Sequence, residues 1–203
     1  MPVAAWFAEL LKRELKGRVH LADSQVEQLH DHYELLERWN KQINLTSIRS
    51  GPEAVVRHYC ESLFFAATLP ATEKVRVTDL GSGAGFPGIP MAILKPAWSL
   101  WLIESHQRKA VFLKEATRKL SNVRVLAQRA EDVQELADWL VARAVDPSEV
   151  LKNLPRLAPQ IGLMLGEQDF EECKTNPRIA WTDPIRLPWG DRRLCVYGVS
   201  RGT

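Results

Sequence analysis

Two hydrophobic rhythms divide the chain near residue 70. Before it, Val26, Leu29, Tyr33, Leu36 and Trp39 recur every three or four positions, the spacing of one buried helix face. Ser24-x-x-Glu27 reads as a capping box opening this helix. Gly51-Pro52 punctuates, Pro52 suits a first helical position, and a further helix is predicted to about Thr68. Residues 1–70 therefore read as an all-helical cap. After Pro70 the period changes. Strands are predicted at 75–80, 98–104, 122–127, 138–143, 160–165 and 193–199, alternating with helical stretches at 88–95, 106–120 and 147–157. Such alternation implies an α/β fold over residues 71–203, a mostly parallel sheet with helices on both faces. The Pro- and Trp-rich stretch 167–192 has no period that assigns it.

The first predicted strand runs into Val77-Thr-Asp-Leu-Gly-Ser-Gly-Ala-Gly-Phe-Pro-Gly-Ile89. A carboxylate, Asp79, is followed by Gly81, Gly83, Gly85 and Gly88, and Glu104 ends the next apolar run 25 residues after Asp79. Glycines let the backbone pass close to a ligand and open directly into a helix. Strand-end carboxylates in an open parallel sheet lie beside the ligand crevice and suit ribose hydroxyls. The loop is predicted to bind a nucleoside-bearing cofactor, and two glycine readings overlap in it. Gly83-x-Gly85-x-x-Gly88 satisfies the dinucleotide pattern, which would make the protein a nicotinamide-dependent oxidoreductase. Gly81-x-Gly83-x-Gly85 after Asp79 resembles instead the first motif of S-adenosylmethionine-dependent methyltransferases. Pro87 and Pro90 favour the second reading, because they remove two N–H donors that a pyrophosphate needs and a sulfonium cofactor does not.

Composition changes the picture in three places. No apolar stretch approaches the ~20 residues that span a bilayer, and the first nine residues lack a basic start, which argues against a signal peptide. Cys60, Cys173 and Cys195, odd in number and widely spaced, suggest reduced thiols in a cytoplasm, and no Cys/His cluster has metal-ligand spacing. The net charge of +2 is unevenly spread: residues 74–129 hold 10 Lys/Arg against 3 Asp/Glu. That basic segment is the footprint of a protein docking on a polyanion, although Arg108, Lys109, Lys114, Arg118 and Lys119 read equally well as solvated helix faces.

Several segments together resemble one family, the small-subunit ribosomal RNA guanine-N7 methyltransferases, also called the glucose-inhibited division protein B family. They are Trp39-Asn40-Lys41…Asn44-Leu45-Thr46, Arg57-His58 with Ser62, the loop from Asp79 to Pro90, Arg108-Lys109 with Phe112-Leu113, Arg129-Ala130-Glu131 and Arg143-Ala144. The resemblance covers roughly 25–165. It implies a Rossmann-like class I methyltransferase fold behind the helical cap, S-adenosyl-L-methionine as cofactor, and ribosomal RNA or the small ribosomal subunit as partner, with a monomer expected. Cys60-Glu61 stands where the family usually has an apolar-Asp pair, Ala142 where it has serine, and Leu165-Gly166 where it has Lys-Gly, the last leaving open a non-catalytic, methyltransferase-like RNA-binding protein that keeps the cofactor loop.

By this resemblance Gly81, Phe86, Ala130, Glu131 and Arg143 contact the cofactor. The residues themselves add Asp79, for the cofactor's ammonium or a loop N–H, Gly83 and Gly85 in the loop, and Glu104 for the ribose. Phe86 also fits simple helix-start packing, and Glu131 a solvated acid at a helix N-terminus. Arg143, Arg129 and His58 are the candidate catalytic residues. The two arginines suit guanine O6 or a phosphate, Arg143 as an unpaired cation at a strand end. His58 fits a structural role as well as a functional one. Asn40, Asn44 and Thr46 fit a helix terminus. The three cysteines, expected far from the strand ends, lack the Pro-Cys setting of a cytosine-C5 nucleophile. No Asn/Asp-Pro-Pro-aromatic loop marks exocyclic-amine methylation. Guanine N7, with its in-plane lone pair unprotonated at neutral pH, needs no general base.

Overall fold

Strand β1 (Arg76–Leu80) and β2 (Ser99–Ile103) show why this sequence makes a two-faced sheet. In β2, Leu100 and Leu102 enter the cores on one face while Trp101 and Ile103 enter the core on the other. The computed structural model describes residues 3–201 apart from Asp191. With β3 (Val123–Leu126), β4 (Trp139–Arg143) and β5 (Gln160–Gly166) these strands form a parallel sheet in the order β3-β2-β1-β4-β5. Three more strands extend it: β6 (Ile179–Trp181), β7 (Ile185–Arg186) and β8 (Arg193–Ser200), with β8 antiparallel to β5 and both β6 and β7 antiparallel to β8. The strand order reverses at β1, between β2 and β4, and open parallel sheets bind ligands at the carboxyl ends of such a pair.

The cap comprises α1 (Ala5–Leu15), α2 (Asp23–Asn40), α3 (Gly51–Ala54) and α4 (Glu61–Thr68), the last two joined by a π-helical segment, Val55–Cys60. Its core is continuous with the sheet: Phe7, Leu11, Leu29, Leu36 and Tyr59 belong to one cluster with Ile89, Leu102, Phe112 and Leu113. Helices α5 (Gly88–Leu94) and α6 (Gln107–Ala116) lie on that face. On the opposite face Val150 of α7 (Pro147–Lys152) and Phe170 of α8 (Glu167–Cys173) pack on Leu140 and Ile161.

Two local expectations need correction here, and the unassigned stretch resolves. The Ser24-x-x-Glu27 box is not formed: α2 starts earlier, with Ala22 at its N-cap, and Gln25 Oε1 accepts from the Ala22 N–H at 2.9 Å while Ala22 has no side-chain oxygen to reciprocate. Gln25 also donates to the Ile93 carbonyl at 2.8 Å, tying α2 to the end of α5. The helix expected over 147–157 stops at Lys152, because Leu154 precedes Pro155 and the residue before a proline is pushed out of the helical region. The unassigned stretch 167–192 contains α8, β6 and β7, the strands only three and two residues long and thus too short to show a period.

Candidate active site

The glycine loop leaves β1 in a left-handed path, with φ of 70° at Gly81, 55° at Gly83 and 87° at Gly85. The Gly81 and Ser82 N–H groups both donate to the Ile103 carbonyl, at 3.0 and 3.1 Å, so the loop folds over the end of β2. A Cβ at Gly85 would meet Ile89 Cδ1 at 2.4 Å, whereas one at Gly83 meets nothing nearer than 3.7 Å. Gly85 faces the core, while Gly83 leaves room for a Cβ in ordinary contact with the loop. Glu104, just past β2 and buried, accepts from the Gly83 N–H at 2.9 Å and from the His106 N–H at 2.7 Å. A carboxylate has about four acceptor positions, so two remain for a ribose diol.

Asp79 does not face the crevice. It is wholly buried, Oδ2 accepts from the Gly88 N–H at 3.0 Å, and Oδ1 has no partner. Burial pushes its carboxyl up to about 7. Of its two expected roles, the structure selects the loop N–H. This decides between the two glycine readings. At the start of α5 the Gly88 N–H is held by Asp79, the Ile89 N–H donates to Gly85 O at 2.7 Å, and Pro90 has none. A pyrophosphate would find no donor there, which removes the basis of the dinucleotide reading.

The cap braces this loop from behind. His32 is buried, with Nε2 3.1 Å from the Ala84 carbonyl and Nδ1 2.8 Å from the Tyr59 hydroxyl. A carbonyl only accepts, so Nε2 carries the proton and Nδ1 accepts from Tyr59. Burial lowers the His32 pKa to about 4, keeping the ring neutral. Phe86 is buried too, its ring stacked on His58 at 4.5 Å and edge-on to Tyr59 and His32. Helix-start packing, the second reading of Phe86, describes its side chain. His58 sits on the π segment, half-buried, Nε2 2.8 Å from Thr46 Oγ1 and Nδ1 without a partner. Burial first, then the Arg143 charge and, less, those of Arg57 and Arg193, lower its pKa to about 3. A group so reluctant to hold a proton is a poor general base. Asn40 terminates α2 by accepting from the Leu45 and Thr46 N–H groups and donating to Thr46 O.

After β3, Ala130 and Glu131 form a 3₁₀ turn with Glu131 exposed. Its anchor, absent from the sequence reading, is Arg156, which donates to the Ala130 and Val133 carbonyls at 2.7 and 2.6 Å. Arg129 precedes the turn, solvent-exposed, and among the described residues its side chain forms no ion pair.

Arg143, expected as an unpaired cation, is paired. At the end of β4 its Nη2 lies 3.2 Å from Oε2 of Glu61, a side chain with 0% exposure, and Nη1 has no partner. Arg193 Nη2 contacts Glu61 Oε1, and Arg57 Nε lies 3.6 Å from the same oxygen. Ala144, next to Arg143, holds φ of 55°, a left-handed conformation that costs a non-glycine residue ~1–2 kcal/mol. Cys60 precedes Glu61, and Cys195 lies two residues along β8 from Arg193, closer to this end of the sheet than expected. Both are buried, as is Cys173, and burial raises all three thiols, Cys195 to about 12 and Cys173 to about 11. None of them is a thiolate nucleophile. Among the described residues no cluster could hold a metal ion, and no helix is long and apolar enough to cross a membrane.

A parallel sheet reversing at β1, a glycine loop opening into a donor-poor helix and an acid at the end of β2 define a Rossmann-like methyltransferase. The fold is similar to that of Methanococcus jannaschii fibrillarin (TM-score 0.58, 17% identity, 67% of this chain and 70% of that one). It is equally similar to a ribosomal protein L11 methylase from Lactobacillus delbrueckii (TM-score 0.58, 12% identity, 76% and 81%). Aeropyrum pernix fibrillarin, whose structure holds natively bound S-adenosyl-L-methionine, aligns with a TM-score of 0.55 at 17% identity over 68% of this chain and 73% of that one. More narrowly, residues 25–185 match the GidB model, rRNA small subunit methyltransferase G, and the chain belongs to that family. It is 40% identical over 175 residues to ribosomal RNA small subunit methyltransferase G of Xanthomonas campestris, covering 80% of this chain and 81% of the relative. To that of Pelotomaculum thermopropionicum it is 38% identical over 197 residues, covering 87% and 82%.

Proposed function

We propose that the protein transfers the methyl group of S-adenosyl-L-methionine to N7 of a guanine in small-subunit ribosomal RNA. The family match over 25–185 carries this reading, and the site chemistry agrees with it. The glycine loop, where a side chain at Gly83 would intrude, fits the cofactor; Glu104 would hold its ribose and the Ala130–Glu131 turn its adenine, a reading supported by the Gly83 N–H that Glu104 accepts and by the turn's position after β3. Bound there, the cofactor supplies an electrophilic methyl on a sulfonium sulfur.

The chain's own residues then have only to position and exclude water. Guanine N7 carries an in-plane lone pair that is unprotonated at neutral pH, so this chain would need no side chain to remove a proton from the acceptor. That accounts for a site whose histidine is neutral and whose thiols are protonated. Positioning of this kind is worth up to ~7–11 kcal/mol of a barrier. To Arg143, at the end of β4, we assign the acceptor base or its phosphate; its Nη1, which has no partner, supports this.

The test uses the product. N7-methylguanosine has a labile glycosidic bond, so borohydride and aniline should cut the RNA at one site, only after incubation with protein and S-adenosyl-L-methionine. Arg143→Ala should abolish the cut. His58→Ala should slow it without changing its pH profile. A rate that rises with pH along one imidazole ionisation, and loses that dependence in the His58 variant, would mean a proton is removed and N7 is not the acceptor.

A further inference from the structure

Glu61 gathers three guanidinium groups from distant parts of the chain: Arg57 from the π segment, Arg143 from the end of β4 and Arg193 from the start of β8. Arg193 stands opposite Gly166 in the β5–β8 ladder, so these cations meet where the carboxyl ends of β4 and β5 converge. Gly190 makes this possible, since a Cβ there would lie 2.7 Å from Arg193 Nε and 2.8 Å from its Nη2.

Among the described residues the charges in this cluster do not balance: one carboxylate faces three arginines, a surplus of two positive charges, and the neighbouring His58, Cys60 and Cys195 are neutral. The pairing is also incomplete. Arg143 Nη1, Arg57 Nε and Glu61 Oε2 are buried atoms with no hydrogen-bond partner. Glu61 is closed to solvent, whereas exposure rises outward from Arg143 at 14% through Arg193 at 20% to Arg57 at 40%. The anion is therefore on the inside and the unmatched cations are on the outside. Arginine forks match phosphate oxygens bidentately. A methylated guanine becomes cationic, so cations beside it need a neutralising anion in place before the bond forms.

We propose that Arg57, Arg143 and Arg193, organised by Glu61, form a subsite for a phosphodiester of the acceptor RNA beside the target base. This rests on the methyltransferase reading above and adds to it Arg57, Arg193 and the organising carboxylate. Arg193 also gives this end of the sheet a cation, while Leu165 in β5 packs against the core of the opposite face.

The test is equilibrium binding of a fluorescently labelled, mixed-sequence single-stranded RNA across a salt series, beside the same sequence on an uncharged backbone. Arg57→Gln and Arg193→Gln should each weaken RNA binding about tenfold and reduce the slope of log K against log salt by about 0.7 for each phosphate no longer neutralised. Arg193→Lys should keep the slope. Affinity for S-adenosyl-L-methionine, measured by calorimetry, should stay within twofold in all variants and show that they are folded. Unchanged RNA affinity and salt slope in both glutamine variants overturns the proposal. So does equal binding of the uncharged backbone. Loss of cofactor binding in both would instead assign the cluster a purely structural role and overturn it as well. If the arginine effects appear but wild-type protein leaves no cleavable guanosine, the N7 reading fails while the phosphate subsite stands.

Discussion

Among single residues, two histidines and a carboxylate shifted by burial set the pH dependence. His32 and His58 fall to about 4 and about 3 from an ordinary 6.5. Between those values and 6.5 the unfolded chain binds two protons that the folded chain refuses, so stability falls as pH falls. Asp79 acts the other way: raised from 3.8 to about 7, it holds one proton in the folded chain that the unfolded chain has released. The net is one proton, a loss of about 1.4 kcal/mol per pH unit between about pH 6.5 and 4. His32→Gln keeps both hydrogen bonds and removes one titration, so urea unfolding measured across that window should become nearly flat. At the crevice itself, Gly83→Val and Glu104→Ala should each weaken S-adenosyl-L-methionine binding at least tenfold, ~1.4 kcal/mol, by calorimetry. The first puts an intruding side chain in the loop at a φ of 55°, and the second removes the carboxylate that fixes the Gly83 N–H. These residues were legible in the sequence because their chemistry is local to one strand–loop–helix unit and the acid that follows it. The Glu61–Arg193 contact was not, because it joins residues 132 apart through a strand register that no local pattern encodes.

For whole elements, legibility tracked length. The parallel strands and α2, long enough to show two or more periods, stand where the hydrophobic pattern puts them. Ends were less legible: α6 stops at Ala116 rather than near 120, with Thr117 Oγ1 donating to the Leu113 carbonyl at 2.7 Å. The Ala130–Glu131 turn is too short to hold itself and relies on Arg156. Arg156→Ala should therefore raise the cofactor's Kd several-fold by calorimetry while circular dichroism changes little; the urea midpoint should fall modestly, because the carbonyl of buried Val133 loses its donor. The basic segment also divides by element. Arg76 and Arg124 lie over the Trp101 ring, at 4.3 and 5.7 Å, which engages them at the amino ends of their strands. Lys114 on α6 and Arg118 just beyond it stay exposed. Reversing both charges should lower the salt slope of RNA binding and raise the KM for ribosomal RNA without altering cofactor affinity.

Across the whole molecule, the cap is part of the catalytic fold's interior. Phe7, wholly buried, packs against Tyr59 and Tyr33, and Tyr59 in turn holds His32 against the loop carbonyl of Ala84. Phe7→Ala should cost about 3–5 kcal/mol of stability in urea unfolding, a large share of what a protein this size possesses. The sequence distinguished a helical segment before residue 70 from an α/β segment after it, because helix and strand periods differ. It did not show that the two share one core, because burial across a boundary depends on which faces meet, and periodicity records only that each has a face.

The π segment Val55–Cys60 makes the site depend on residue number as well as residue type. Its Glu61 N–H reaches back to the Val56 carbonyl, five residues away, so the turn holds one residue more than an α-helix would. Deleting a single residue there would let the helix relax to ordinary winding and rotate everything before it by about 100° relative to α4. Arg57 and His58 would then swing off Glu61 and Phe86 with every side chain in the motif still present. A shortened homologue could thus match the signature letter by letter and still have lost the arrangement, and a one-residue gap at this point is the mark by which to find it.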